Sequence, residues 1–113
     1  MSELFEQGDL VEVDFDPTKG HEPAKRRPAL VVSVGFFNNV LSSLTVVCPI
    51  TSTPSRHPLH IEVAPGNPCE GYICIEQLRA MSLSRRNCKK LDGKLDETTM
   101  SAVLEAIGAV FGI

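Results

Sequence analysis

The chain has 113 residues with 11 basic and 14 acidic side chains, a net charge of −3, and is 42% hydrophobic and 22% charged. The acidic balance argues against a general nucleic-acid coat protein, and no run of eighteen apolar residues offers a membrane span. The length predicts one domain over residues 1–113, short enough that a second copy would help to bury surface.

The N-terminus, "MSELFEQGD", is acidic with no apolar stretch after a basic start, so it does not read as a signal peptide and the expected location is cytoplasmic. "LVEVDFD" (10–16) alternates Val11, Val13 and Phe15 against Glu12, Asp14 and Asp16, the pattern of a half-buried strand ended by Pro17. The loop of about ten residues after it is near the upper end of ordinary connections and so a candidate functional loop. "PALVVSV" (28–34) predicts a strand buried on both faces. "GFFNN" reads as a turn with room for a short helical turn. "LTVVCPI" (44–50) is the third strand, "LHIEVA" (59–64) an alternating fourth, and "YICIEQL" (72–78) a fifth that "RAMSLS" extends or restarts. At the C-terminus the period changes. Met100, Val103, Leu104, Ile107, Val110 and Phe111 follow helical spacing, with Asp96 as N-cap and Gly112 as stop. Five short strands and one closing helix predict a mainly β fold, a small and strongly bent barrel.

Cysteines stand at 48, 69, 74 and 88 with no C-x-x-C pair. Cys48, inside an apolar run, reads as a small buried hydrophobe. His57, His60, Cys69 and Cys74 match no common zinc spacing, so neither a metal nor a cofactor is expected. Charge is uneven: residues 1–22 hold seven acids and one lysine, whereas Lys25, Arg26 and Arg27 form one basic cluster and "RRNCKK" (85–90) a second. Such clusters are commonly solvated surface, but they can also form a local anion site. Arg27 precedes Pro28, which restricts its backbone, and its guanidinium can grip phosphate with paired donors. Thr51 and Ser52, just after a strand, can donate to an oxyanion; on spacing alone, turn capping is favoured. Glu76 alternates with Cys74 and Tyr72, either as a pocket carboxylate or as an exposed strand residue.

"GDLVEVDFDPTKGHEPAKRRPALVVS", then "VCPITS", then "EQLR" resembles the MazF/PemK family of toxin endoribonucleases, the mRNA interferases. The resemblance runs from Gly8 into the C-terminal helix. It implies an SH3-like barrel of the CcdB/MazF toxin type with a C-terminal α-helix, usually a homodimer. It implies metal-independent cleavage of single-stranded RNA at a short sequence, leaving 2′,3′-cyclic phosphate and 5′-hydroxyl ends. It also implies neutralisation by a cognate antitoxin, for which the basic clusters suggest an acidic, disordered tail. The catalytic positions it implies match Arg27 and Thr51, with His21 matching a loop histidine of some members. Glu76 falls where several members have aspartate, and "AKR" replaces a glycine or glutamine often found before the arginine. Arginine almost never loses its proton near neutral pH, so Glu76 or His21 is the easier base. Lys25, Arg26, Arg79, Arg85 and Arg86 are expected to track the RNA backbone, with Ser52 and Gln77 as further RNA contacts. The alternatives are a non-catalytic toxin of the same fold that poisons DNA gyrase, or a plain binding module.

Overall fold

The computed structural model describes residues 4–16 and 25–113, with Asp16 and Lys25 described by backbone alone. His21 lies outside the described residues. The strands are β1 (Asp9–Asp16), β2 (Lys25–Val31), β3 (Thr45–Thr51), β4 (His60–Glu62), β5 (Tyr72–Cys74), β6 (Arg79–Met81) and β7 (Lys89–Lys94), and the helix is α1 (Glu97–Val110). All pairings are antiparallel. The order is β4-β5-β3-β2-β1-β7, with β6 also on β3. One edge of β3 is therefore shared: its first half pairs with β6 and its last two residues with β5. The 3₁₀ turn Ile75–Gln77 lies between those two short strands. The sheet is bent like a small barrel, without a pairing between β4 and β7 among the described residues.

Both faces of the central strands are covered. Leu10, Leu30, Cys48, Ile50 and Ile73 pack with Leu95 and with Val103 of α1. Val11, Val13, Ala29, Val31 and Val47 pack on the other side with Phe5, Met81 and Leu83. Double burial explains why "PALVV" is apolar without alternation, as its sequence predicts. Asp96 caps α1 as expected, accepting from Thr99 N at 2.9 Å. Asn67 adds a reciprocal pair, donating to Asp96 Oδ1 at 2.9 Å and accepting from its backbone N–H at 2.8 Å.

Three expectations are corrected. The run 72–78 is not one strand: pairing ends at Cys74, and "RAM" restarts it as β6. "RRNCKK" is not only a polar cluster, because Lys89 and Lys90 begin β7, an edge strand on β1. The strand is hidden by charge, and lysine is a residue that protects an exposed edge from further pairing. Lys90 Nζ reaches Asp9 Oδ2 at 3.5 Å and donates to the Leu4 carbonyl at 2.9 Å. The apolar stripe of α1 is only partly buried. Val103 is enclosed and Met100 and Ile107 pack against the core, but Leu104, Val110 and Phe111 are exposed, the last at 65%.

Candidate active site

Strand register brings the site together. Residues directly opposite in a sheet share a face, as do residues two apart on one strand. Ala29 pairs with Pro49, so Arg27 and Thr51, each two residues further out, lie on one face. Thr51 pairs with Tyr72, and His60 pairs with Cys74, which extends that face across β5 to β4. Two adjoining cavities open there. The first, about 290 Å³, is lined by Arg26, Arg27, Thr51, Ser52, Thr53 and Glu70 among others. The second, about 240 Å³, is lined by Arg27, Thr51, Thr53, His60, Cys74 and Gln77 among others. Arg27, Thr51 and Thr53 belong to both, so they stand between the two halves of one groove.

Arg27 is not at a strand entrance, as the following proline suggested, but inside β2 opposite Val13. Pro28 is tolerated beside it because the ladder between β2 and β3 begins only at Ala29, so no ladder bond is asked of Pro28 there. Thr51 combines both readings of its hydroxyl. Its Oγ1 accepts from Thr53 N at 3.2 Å, capping the turn, and the O–H remains able to donate. Gly71 holds Thr51 in place. Its φ is +134°, and a Cβ there would lie 2.5 Å from the Thr51 carbonyl oxygen. Only glycine allows that approach.

Glu76 leaves the strand alternation, since it sits in the 3₁₀ turn after β5. It nonetheless joins the site, because His60 Nε2 lies 2.8 Å from its Oε2. Burial pushes the Glu76 carboxyl upward, but the His60 hydrogen bond and the two nearby histidines outweigh this and hold it below the usual carboxylate range. Burial raises the Cys74 thiol, the Glu76 charge adds to that, and Arg27 opposes it only in part. It is a wall of the cavity rather than a nucleophile. Cys48 is pushed up to about 12 by burial first, the inert buried thiol its sequence suggested.

Of the other expected RNA contacts, Ser52, Gln77 and Arg26 line the cavities. Arg26 Nη1 also donates to the Asn87 carbonyl at 2.6 Å and stands 3.8 Å from Asp14 Oδ1. Arg79, Arg85 and Arg86 line neither cavity. Arg79 Nη2 and Arg86 Nη1 both donate to the Phe15 carbonyl, at 3.1 and 2.7 Å, and Arg79 lies over the Phe15 ring. These two arginines secure the end of β1. Arg85 is exposed in the 3₁₀ turn Leu83–Arg85. Sequence reasoning did not single out Thr53 or Glu70, and it weighed His60 only as a zinc ligand that it set aside. The alternation of "LHIEVA" carried a hint of His60, placing it with Glu62, but not which neighbours that face meets.

A family model described as PemK-like, MazF-like toxin of type II toxin-antitoxin system matches residues 6–111. The chain is 39% identical over 108 residues to the endoribonuclease toxin ChpB of Escherichia coli K12, covering 88% of this chain and 89% of ChpB. It is 34% identical over 85 residues to the endoribonuclease toxin MazF of the same strain, covering 75% of each. A MazE–MazF crystal structure from Deinococcus radiodurans matches it with a TM-score of 0.89 at 27% identity, over 99% of each chain.

Proposed function

The chain belongs to the PemK-like, MazF-like toxin family of type II toxin–antitoxin systems, an endoribonuclease toxin by that kinship, and from this premise we propose that it cuts single-stranded RNA through attack of the ribose 2′-hydroxyl. The observation that carries this is the groove in which Arg27, Thr51 and Thr53 are common to both halves, with the His60–Glu76 pair at its edge.

The 2′-oxygen attacks the adjacent phosphorus, the bond from phosphorus to the 5′-oxygen breaks, and the products are a 2′,3′-cyclic phosphate and a 5′-hydroxyl. The nucleophile is already tethered to its target, so proximity replaces the work of a metal. Arg27 neutralises the charge that builds on the phosphorane, and Thr51 donates to a non-bridging oxygen. The 2′-proton passes to the His60–Glu76 pair, of which His60 lines the groove and Glu76 is held ionised. A proton returns to the departing 5′-oxygen. Ser52 and Gln77, one in each half, are placed to contact the flanking nucleotides. The relatives that the chain matches are named endoribonucleases, which gives the gyrase-poison alternative no support.

The partners follow from the same family. The exposed Phe36, Phe111 and Val110 suit burial by a second copy in a homodimer. An acidic antitoxin tail would lie in the Arg26–Arg27 groove and exclude RNA. No helix among the described residues is long and apolar enough to cross a membrane, in keeping with action on cytoplasmic mRNA. The test is an oligonucleotide carrying one deoxyribose at the mapped cut, incubated in EDTA beside its all-ribose twin. The twin should be cut into discrete fragments, and the deoxy form should bind but stay whole. Cutting of both would refute the 2′-hydroxyl mechanism. Cutting of neither would refute metal-independent cleavage. Simultaneous binding of RNA and antitoxin, with neither weakened, would refute the shared groove.

A further inference from the structure

His57, His60 and Glu76 converge at the edge of the groove. Each offers one ligand atom, and the three atoms lie within 4.8 Å of one another. His60 Nε2 stands 2.8 Å from Glu76 Oε2. The two imidazole rings stack with centroids 4.8 Å apart and planes 28° from parallel. The chain builds this locally: "HPLH" is a tight turn in which His60 N–H donates to the His57 carbonyl at 2.9 Å, folding one ring onto the other. Glu76 arrives from the 3₁₀ turn after β5, so the cluster exists only once β4 and β5 have paired. The sequence set aside a zinc site of the two histidines with Cys69 and Cys74 for want of a common spacing, whereas the fold brings a carboxylate to the two histidines.

Two imidazoles and one carboxylate are the donor set of open zinc sites, whereas magnesium and calcium call for oxygens. We propose that His57, His60 and Glu76 form a binding site for a divalent cation of the zinc class, and that its occupation inhibits the RNA groove by separating His60 from Glu76. Zinc–nitrogen and zinc–oxygen bonds of roughly 2.1 Å place tetrahedral ligands about 3.4 Å apart. The 2.8 Å pair would therefore open slightly while the exposed His57, in its turn, moves inward. The hydrogen bond that couples His60 to the carboxylate is lost, and a positive charge fixes both groups. Metal-bound histidines usually donate their second ring nitrogen to an acceptor. Here His60 Nδ1 is buried without a partner, and His57 Nδ1 accepts from Leu59 N–H at 3.0 Å. Lacking that support, the site should bind about 10- to 100-fold more weakly than a fully buttressed one. Weak, reversible binding suits an inhibitory cation.

The binding claim stands without the endoribonuclease reading; the inhibition rests on it. Metal-free protein is titrated with Zn²⁺ against a chromophoric zinc chelator, and separately with Co²⁺, whose visible absorption bands report tetrahedral nitrogen and oxygen ligands. Wild type should take one zinc per chain. His57→Ala, which lines neither cavity, should bind at least tenfold more weakly, and Cys69→Ser should bind as wild type. Zinc should slow RNA cleavage by wild type, with EDTA restoring it. Measured against its own zinc-free rate, His57→Ala should resist inhibition. Wild-type zinc affinity in His57→Ala, or its loss in Cys69→Ser, would overturn the site. Zinc binding that leaves cleavage unchanged would overturn the inhibition. A protein that cuts no RNA at all would fail the enzymatic reading while the chelator titration still decides the metal site.

Discussion

Gly71→Ala should damage the fold and the site together, and Gly66→Ala provides its measure. Both glycines have left-handed φ, +134° at Gly71 and +94° at Gly66. An alanine at either position carries backbone strain of about 1–3 kcal/mol. At Gly66 the new methyl would meet nothing within 4 Å, so strain is the whole effect. At Gly71 it would lie 2.5 Å from the Thr51 carbonyl oxygen and 2.9 Å from Ile50 Cγ2. The oxygen is backbone, held where β3 pairs with β5, and cannot swing aside as a side-chain tip can. The added overlap should bring the total to about 4 kcal/mol, among the large effects of single substitutions. For a chain of this size about 1 kcal/mol shifts the melting temperature by about 4 °C. Gly66→Ala should therefore melt about 4–12 °C below wild type, and Gly71→Ala about 16 °C below. Relief of the overlap must push Thr51 away, so Gly71→Ala should also lose most RNA cleavage at temperatures where it remains folded, while Gly66→Ala keeps it. Thermal melts by circular dichroism and a fluorescent RNA cleavage assay measure both quantities. Equal melting losses in the two variants would refute the role of close approach. A stable Gly71→Ala with full activity would refute the positioning of Thr51.

Arg27→Ala should lower the cleavage rate by about 100- to 1000-fold with the fold retained, since one preorganised charge donor is removed; Arg27→Lys should also be poor, and an equal loss in Arg26→Ala would contradict the assignment of Arg27. Arg86→Ala should lower the melting temperature by leaving the Phe15 carbonyl with Arg79 as its one side-chain donor among the described residues, yet leave the salt dependence of RNA binding unchanged. A salt slope reduced by about one would instead identify Arg86 as a phosphate contact. Hydrogen bonds from Thr99, then from Asn67, hold the Asp96 carboxyl down at about 2. A depressed pKa stabilises above the unfolded value near 3.9 and is lost as pH falls through about 2. Asp96→Asn should therefore melt lower than wild type at pH 7, with the gap narrowing between pH 4 and pH 2; a constant gap across that range would contradict it.

Local sequence alone determined the β1 alternation, the doubly buried run that starts at Pro28, the Asp96 cap and the inert Cys48. Each of these depends on side chains within a few residues of one another, or on burial that apolar composition states outright. The resemblance of residues 8–33 and 47–52 further pointed to Arg27 and Thr51. Their common face was a matter of register, because a strand's own pattern says which residues share a side but not which neighbour they meet. Tertiary structure alone joined His60 to Glu76 across β4 and β5, and gathered His57 beside them. It also turned Arg79 and Arg86 toward the Phe15 carbonyl, since a cationic run looks the same in sequence whether its charge meets solvent, phosphate or a backbone oxygen sixty or more residues away. The partial exposure of α1 has the same origin: helical spacing reveals an apolar stripe, and only the extent of the sheet beneath decides how much of it is covered.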